Sequence, residues 1–272
     1  MTIKIHTPEE IDHMRVACRF AAELLDNIGP HIVPGVTTNE IDRLCEEYTS
    51  SRGSVSAPLN YAPPGHTPYP KSICTSVNQQ VCHGIPNDKP LKKGDIVNID
   101  VTPITNGWHG DSSRMFIVGS EDAAPPFVRR LCRVTHESMW KGIVEVKPGA
   151  RLGDIGSAIQ KYVESHGYSV VREFCGHGIG QEFHTEPQVL HYGKPGTLEE
   201  LHPGMIFTIE PMVNAGRREI KESNDGWSIV TKDRSLSAQY EHTIVVTETG
   251  YEVLTVSEGM PALPDFVSAI RT

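Results

Sequence analysis

Four carboxylates stand where the surrounding residues read as buried strand. Asp100 ends "GDIVNID", Asp111 follows "NGWHG", Glu210 ends "MIFTIE" and Glu241 stands in "QYEHTIVV". A buried, unpaired carboxylate costs several kcal/mol, so each must be solvated, paired with a base, or bound to a cation. Lys and Arg are scarce nearby, and while a solvated strand end explains any one of these acids, four of them ask for more. His177, in the glycine-lined turn "GHGIG", adds an imidazole. Four negative charges balance two divalent cations, and oxygen-rich ligation with a single imidazole suits Mn, Fe, Co or Zn better than a structural thiolate zinc site. Two such ions roughly 3.5 to 4 Å apart can lower the pKa of a shared water and stabilise an oxyanion. The chemistry that follows is hydrolysis of a carbonyl compound.

These side chains need strands to bring them together. In "GDIVNIDVTPITNGWHGDSSRMFIVG", Asn106-Gly107 is a type I′ hairpin signal that pairs Thr105 with Trp108 and Thr102 with Asp111. Asn98, Asp100 and Thr102 then share a face, and Asp111 becomes the diagonal neighbour of Asp100 at roughly 7 to 8 Å. Pro103 weakens the strand and could shift this register. "GHGIG" lacks the G-x-G-x-x-G spacing of a dinucleotide loop. Gly176 and Gly178 are therefore expected to make space for His177 beside a metal, with His184 aimed at substrate.

The supporting elements occur twice. Thr7-Pro8-Glu9-Glu10 is a capping box with a first-turn proline, and Ile11, Met14, Cys18, Ala21, Leu25 and Ile28 follow at helical spacing. A second box, Thr37 with Glu40, opens a helix lined by Ile41, Leu44, Cys45 and Tyr48. A shift of 114 positions lays Cys18 on Cys132, Pro34-Gly35 on Pro148-Gly149, Tyr48 on Tyr162 and Gly53 on Gly167. The helix pair is thus expected again over Pro126–Val144 and Leu152–His166. "CHGIP" from Cys82 resembles "GHGIG", and "KGDIVNID" resembles "PGMIFTIE", which sets His83 against His177 and Asp100 against Glu210. The expectation is an α+β fold, one domain over residues 1–272, with similar halves at roughly 8–120 and 121–250 packed around a shared core. Pockets favour such seams.

Composition excludes other classes. The net charge is −9 and no basic run would track a phosphate backbone. The six cysteines form no C-x-x-C pair and fit buried thiols in a reducing compartment. Charges interrupt every apolar stretch of the N-terminus, as in neither a signal peptide nor a membrane span. A cytoplasmic protein is expected.

The stretches "NIDVTPITNGWHGDSSRMF", "FCGHGIGQEFHTEPQVLHYG", "FTIEPM" and "LSAQYEHTIVV" resemble the bacterial type I methionine aminopeptidases, over nearly the whole chain. The resemblance implies the pita-bread fold, two pseudo-symmetric halves around a central antiparallel sheet. It implies two divalent ions per chain (Co, Mn, Fe, Zn or Ni) and removal of the initiator methionine from nascent chains whose second residue is small. By the same resemblance Asp100 chelates one ion, His177 and Glu210 the other, Asp111 and Glu241 bridge both, and Glu210 is the general base. His83 and His184 match the substrate histidines, although either would also serve as a satisfied core histidine. Tyr69, Cys74, Phe183 and Trp227 match the methionine pocket, although aromatics in a core look the same from sequence. A monomer that docks transiently at the ribosome exit is implied as partner behaviour. One departure concerns the pocket rim: the family's compact Gly-Tyr-x-Gly-Tyr-Pro-like stretch is here the longer "LNYAPPGHTPYPKS", in which Tyr61 and His66 receive no role. No leader precedes the first helix, so the chain reads as the catalytic core alone.

Three rivals share some of these residues. An X-Pro aminopeptidase or prolidase of the same fold uses the same five ligands but usually carries an N-terminal domain. A non-catalytic peptide-binding scaffold typically loses ligands. A structural metal site has no need of His83 and His184.

Overall fold

The structure is a computed structural model in which residues 3–268 are described. Helix α1 spans Pro8–Ile28, and both halves of its capping box are formed: the Thr7 hydroxyl accepts the Glu10 N–H, and the Glu10 carboxylate accepts the Thr7 N–H at 2.9 Å. Helix α2, Thr38–Ser51, keeps only the forward half, because Arg43 engages the Glu40 carboxylate at 2.6 and 2.8 Å. The second pair is α3, Pro126–Ile143, and α4, Leu152–Ser165. Helix α4 coincides with α2 after the 114-residue shift and keeps the other half of the box, Asp154 accepting the Arg151 N–H at 2.7 Å. The glycines that precede and follow the two helices repeat as well. Gly35 and Gly149 have φ of +94° and +82°, Gly53 and Gly167 +71° and +80°, left-handed backbone that a Cβ would strain.

Strands β1 (Cys74–Val77), β2 (Ile96–Val101) and β3 (Ser112–Ile117) form an antiparallel sheet in that order. The second half contributes β4 (Gly176–Gly178), β5 (Thr185–Val189), β6 (Ile206–Ile209), β7 (His242–Val246) and β8 (Tyr251–Val253), ordered β5-β4-β6-β7-β8 and antiparallel throughout. The helices cover one face of each sheet. Val97, Ile99 and Val101 bury against Leu24, Leu25, Ile28 and Ile41, while Phe207, Ile209, Ile244 and Val246 bury with Trp140, Ile143 and Ile155. Each such side chain contributes about 1.5 to 3 kcal/mol by leaving water. Strand alternation then sends Asn98 and Asp100, and on the β6 side Thr208 and Glu210, to the opposite face.

The hairpin has the expected register. Asn106 and Gly107 take φ of +52° and +83°, Thr105 pairs with Trp108, and the same register continues to Val101 with Ser112 and Asp100 with Ser113. Pro103 does not shift it: the Pro103–Thr105 strand turns aside to pair with Val55–Ser56, while Gly110 N–H still bonds the Pro103 carbonyl at 3.0 Å. The halves join where the two sheets meet. Glu241 N–H donates to the Ser113 carbonyl at 3.1 Å, the Ser112 hydroxyl to the Glu241 carbonyl at 2.9 Å, and the Thr243 hydroxyl to the Asp111 carbonyl at 2.8 Å. Five cysteines are buried, Cys175 is half-buried, and all six are free thiols. Among the described residues no helix is long and apolar enough to cross a membrane.

Candidate functional site

At that seam Asp111, His177 and Glu241 each present one ligand-type atom within 4.8 Å of the others. His177 Nε2 lies 3.5 Å from Asp111 Oδ2 and 3.7 Å from Glu210 Oε1. Its Nδ1 faces the Gly178 carbonyl at 3.1 Å, which assigns the ring proton to Nδ1 and leaves the Nε2 lone pair toward the carboxylates. Asp100 lies between its strand partners Cys74 and Ser113 and lines the same cavity. Hydroxyls and an amide hold the acids: Thr102 donates to Asp111 at 2.9 Å, Thr208 to Glu210 at 2.8 Å, and Gln239 to Glu210 at 3.3 Å.

The flanking glycines serve a different purpose from the expected one. A Cβ at Gly176 would lie 2.2 Å from the Thr208 carbonyl oxygen, and one at Gly178 would lie 2.1 Å from that of Glu186. They admit the neighbouring backbone, and His177 is positioned because the strands close tightly around it.

Burial, then the charges of Asp111 and Glu210, hold the Asp100 carboxyl well above the usual carboxylate range, and Glu241 is raised in the same way. Glu210 is pushed up to about 7, again by burial first, with Asp111 adding to the rise. Burial alone would lower His177, but Asp111 and Glu210 outweigh it and raise the imidazole. A cation-free site therefore holds protons that a cation must displace. The donor set, four carboxylates and one imidazole with Nε2 free, fits hard or borderline divalent ions. Asp100, Glu210, Glu241 and His177 are all raised, so below their pKa values protons occupy these ligand atoms, and as pH rises through about 7 the Glu210 proton leaves and cation affinity increases. The gain in melting temperature when Mn is added to metal-stripped protein is thus expected to grow between about pH 6 and 8, which calorimetry can follow. A gain that stays flat or shrinks over that window would refute the shared ligand cluster.

The remaining expected residues line the same cavity, about 690 Å³ in volume: His83, His184, Tyr69, Cys74, Phe183 and Trp227. His83 sits at φ +55° before Gly84, where a Cβ would lie 2.2 Å from the Thr75 carbonyl oxygen. This bend turns its ring toward Phe174 and Trp227, at 5.2 and 6.4 Å between ring centres. Burial pulls His83 down to about 4 and His184 to about 2, with neighbouring imidazoles adding to the drop, so both are neutral near pH 7. Tyr69, Cys74 and Trp227 form one apolar cluster with Tyr61 and Ile85, and Phe183, stacked on His184 at 3.9 Å, meets Tyr61 edge-on at 5.2 Å.

Two residues went unread in the sequence. The Tyr61 hydroxyl lies 2.9 Å from His184 Nδ1, and with the phenol donating, the His184 proton is on Nε2. Fully buried His191 accepts the Glu210 backbone N–H on Nε2 at 3.1 Å, beyond the last residue of β6 and before Pro211. Neither carries a periodic signal; only the motif-like "HYG" after "PQVL" marks His191.

Residues 12–248 match metallopeptidase family M24. The chain is 57% identical over 267 residues to the methionine aminopeptidase of Escherichia coli strain K12, covering 97% of this chain and 98% of that one. The crystal structure of methionine aminopeptidase from Rickettsia prowazekii superposes with a TM-score of 0.90 at 54% identity, over 94% of this chain and 100% of that chain. A prolidase from Pyrococcus furiosus superposes at 0.73 with 22% identity, covering 93% of this chain but 66% of its own, a likeness of fold alone.

Proposed function

This chain belongs to metallopeptidase family M24, and from that premise we propose that it is an aminopeptidase releasing methionine from the N-terminus of nascent proteins whose second residue is small. One observation carries the reading: five ligand-type side chains from both halves converge on a cavity that also holds two neutral histidines and an apolar, sulfur-lined wall.

In the proposed arrangement Asp100, Asp111, His177, Glu210 and Glu241 would hold two divalent ions, with Co, Mn, Fe, Zn and Ni all compatible. Such ions supply Lewis-acid polarisation of the scissile carbonyl and a water acidified toward neutral pH. In that arrangement Glu210 would take a proton from water and return it to the departing amine. His184, with Nδ1 on Tyr61, donates Nε2–H to the scissile peptide, and neutral His83 offers a second donor to the oxyanion. Cys74, Tyr69 and Trp227 present polarisable apolar surface that suits a thioether. Residues 1–272 act as one catalytic domain built of two repeats. Free thiols suit a reducing, cytoplasmic compartment and a charge of −9 argues against nucleic-acid specificity, while the family resemblance carries the reading of a monomer in transient contact with the ribosome exit.

The test is to strip the protein of metal, restore Mn or Co, and measure cleavage of Met-Ala-Ser, Leu-Ala-Ser and Ala-Pro. Metal-restored release from the methionine peptide alone is expected. Cleavage of Ala-Pro would transfer the chain to the prolidase side of the family, and no cleavage despite bound metal would make it a scaffold.

A further inference from the structure

Trp227 is the part of the methionine pocket least well supported by its own segment. It sits at the tip of the hairpin joining Ile220–Glu222 to Ile229–Thr231, a turn closed by Ser223 N–H to the Ser228 carbonyl at 2.8 Å. Its backbone N–H is held by Asp225 at 3.0 Å, but its indole N–H finds no partner within the hairpin. The partner is the Thr67 carbonyl, at 3.0 Å, on the stretch where this chain departs from the compact family pattern. His66, next to it, packs on the indole with 5.2 Å between ring centres at 41°. On the inner side Tyr69 meets the same indole edge-on at 5.1 Å.

The extended stretch is itself closed. Asn60 N–H donates to the Tyr69 carbonyl and Tyr69 N–H to the Tyr61 carbonyl, both at 2.8 Å, so residues 61–69 form a loop on a fixed base. That base includes Tyr69, 2% exposed, whose hydroxyl is bonded to the Gly84 carbonyl at 2.9 Å beside His83. Residues 64–68 are exposed, yet Trp227 beneath them is only 9% exposed. The indole at the hairpin tip is therefore clamped between Tyr69 within and His66 with Thr67 without.

We propose that residues 62–68 act as a specificity brace: by fixing Trp227 they keep the side-chain slot narrow, so that it accepts the slender, unbranched methionine chain and rejects the branched leucine chain. The inference rests on the site's reading as a methionine aminopeptidase. A hydrophobic pocket discriminates between side chains only as far as its walls resist moving. Releasing the indole N–H from its carbonyl also removes the bond that fixes the ring's orientation. His66 and the Thr67 carbonyl are positioning groups, acting on substrate through Trp227.

The experiment compares three metal-loaded proteins: the parent, His66→Ala, and a variant in which Ala62–Pro68 is replaced by Gly-Gly. For each, kcat and KM are measured on Met-Ala-Ser and Leu-Ala-Ser, along with metal content. Shortening is expected to lower the Met-over-Leu ratio of kcat/KM by about tenfold or more, with KM for Met-Ala-Ser rising more than kcat falls. His66→Ala is expected to lower the ratio by less, and both variants to hold as much metal as the parent. An unchanged ratio in the shortened, metal-loaded variant overturns the brace. Should shortening cost the fold, seen as lost metal, His66→Ala decides alone, and a ratio equal to the parent's overturns the brace. A parent that releases no methionine overturns the functional reading instead, which keeps the two failures apart.

Discussion

Replacing His177 with alanine is expected to lower methionine release by about a thousandfold or more, equivalent to about 4 kcal/mol of barrier. His177 is the one nitrogen ligand in the cluster, and its Nε2 stands between Asp111 and Glu210 at 3.5 and 3.7 Å. Truncation would remove the imidazole between the acids and empty a proposed ligand position, so ion affinity and turnover are expected to fall together. The fold is expected to survive, since alanine adds no atom to a strand whose tight contacts are made at Gly176 and Gly178. Asp100→Asn tests the same centre from the other sheet. It keeps the shape of the side chain and the pairing of Asp100 with Cys74 and Ser113, but removes an acid whose ionisation the buried, like-charged site penalises. Turnover is again expected to collapse, while the metal-free variant melts above the metal-free parent, as expected where function is maintained at a cost in stability. Normal activity in either purified variant would refute the ligand assignment.

His184→Ala is expected to lower kcat about a hundredfold to ten-thousandfold, the usual range for a positioned proton donor, with ions retained and KM changed little. The ring lies close to His177, 4.3 Å between centres, yet its Nδ1 is engaged by Tyr61 at 2.9 Å, and burial and neighbouring imidazoles push it down to about 2. In its proposed role it is a neutral donor, and its loss would take away a hydrogen bond at the reacting peptide. Metal content of the purified variant, read by elemental analysis beside the kinetics, separates the two roles. Ions lost with the imidazole would make His184 a ligand.

Much of this was legible because the chain states it locally. The Thr7 box, the apolar spacing after it and the 114-residue echo were enough for the helices, since caps and periodicity act within a few residues. Asn106-Gly107 set a register that Pro103 did not disturb, and with it the meeting of Thr102 and Asp111. The acids were readable through contradiction, charge placed where strands should be apolar. What stayed hidden depends on segments far apart in sequence. The backbone that Gly176 and Gly178 admit belongs to Thr208 and Glu186, the base under Glu210 belongs to His191, and the partner of His184 belongs to the rim. Even the second capping box was only half right, because Arg43 competes for Glu40, a contest between side chains that a motif does not weigh.

The hydrogen bonds from Glu241 to Ser113 and from Ser112 to Glu241 also order events during synthesis. Glu241 enters the growing chain long after Asp100 and Asp111, and the bridge that carries it to them joins the two halves across the full length between. On a ribosome the first half can bury its helices against its own sheet early, as domain-sized units do. Its two acids must then wait, without the carboxylates and imidazole of the far half, until Glu241 has been made. On the proposed ligand assignment, a chain stopped before Glu241 lacks one of its ligands, and metal capture follows, rather than precedes, the making of the second half.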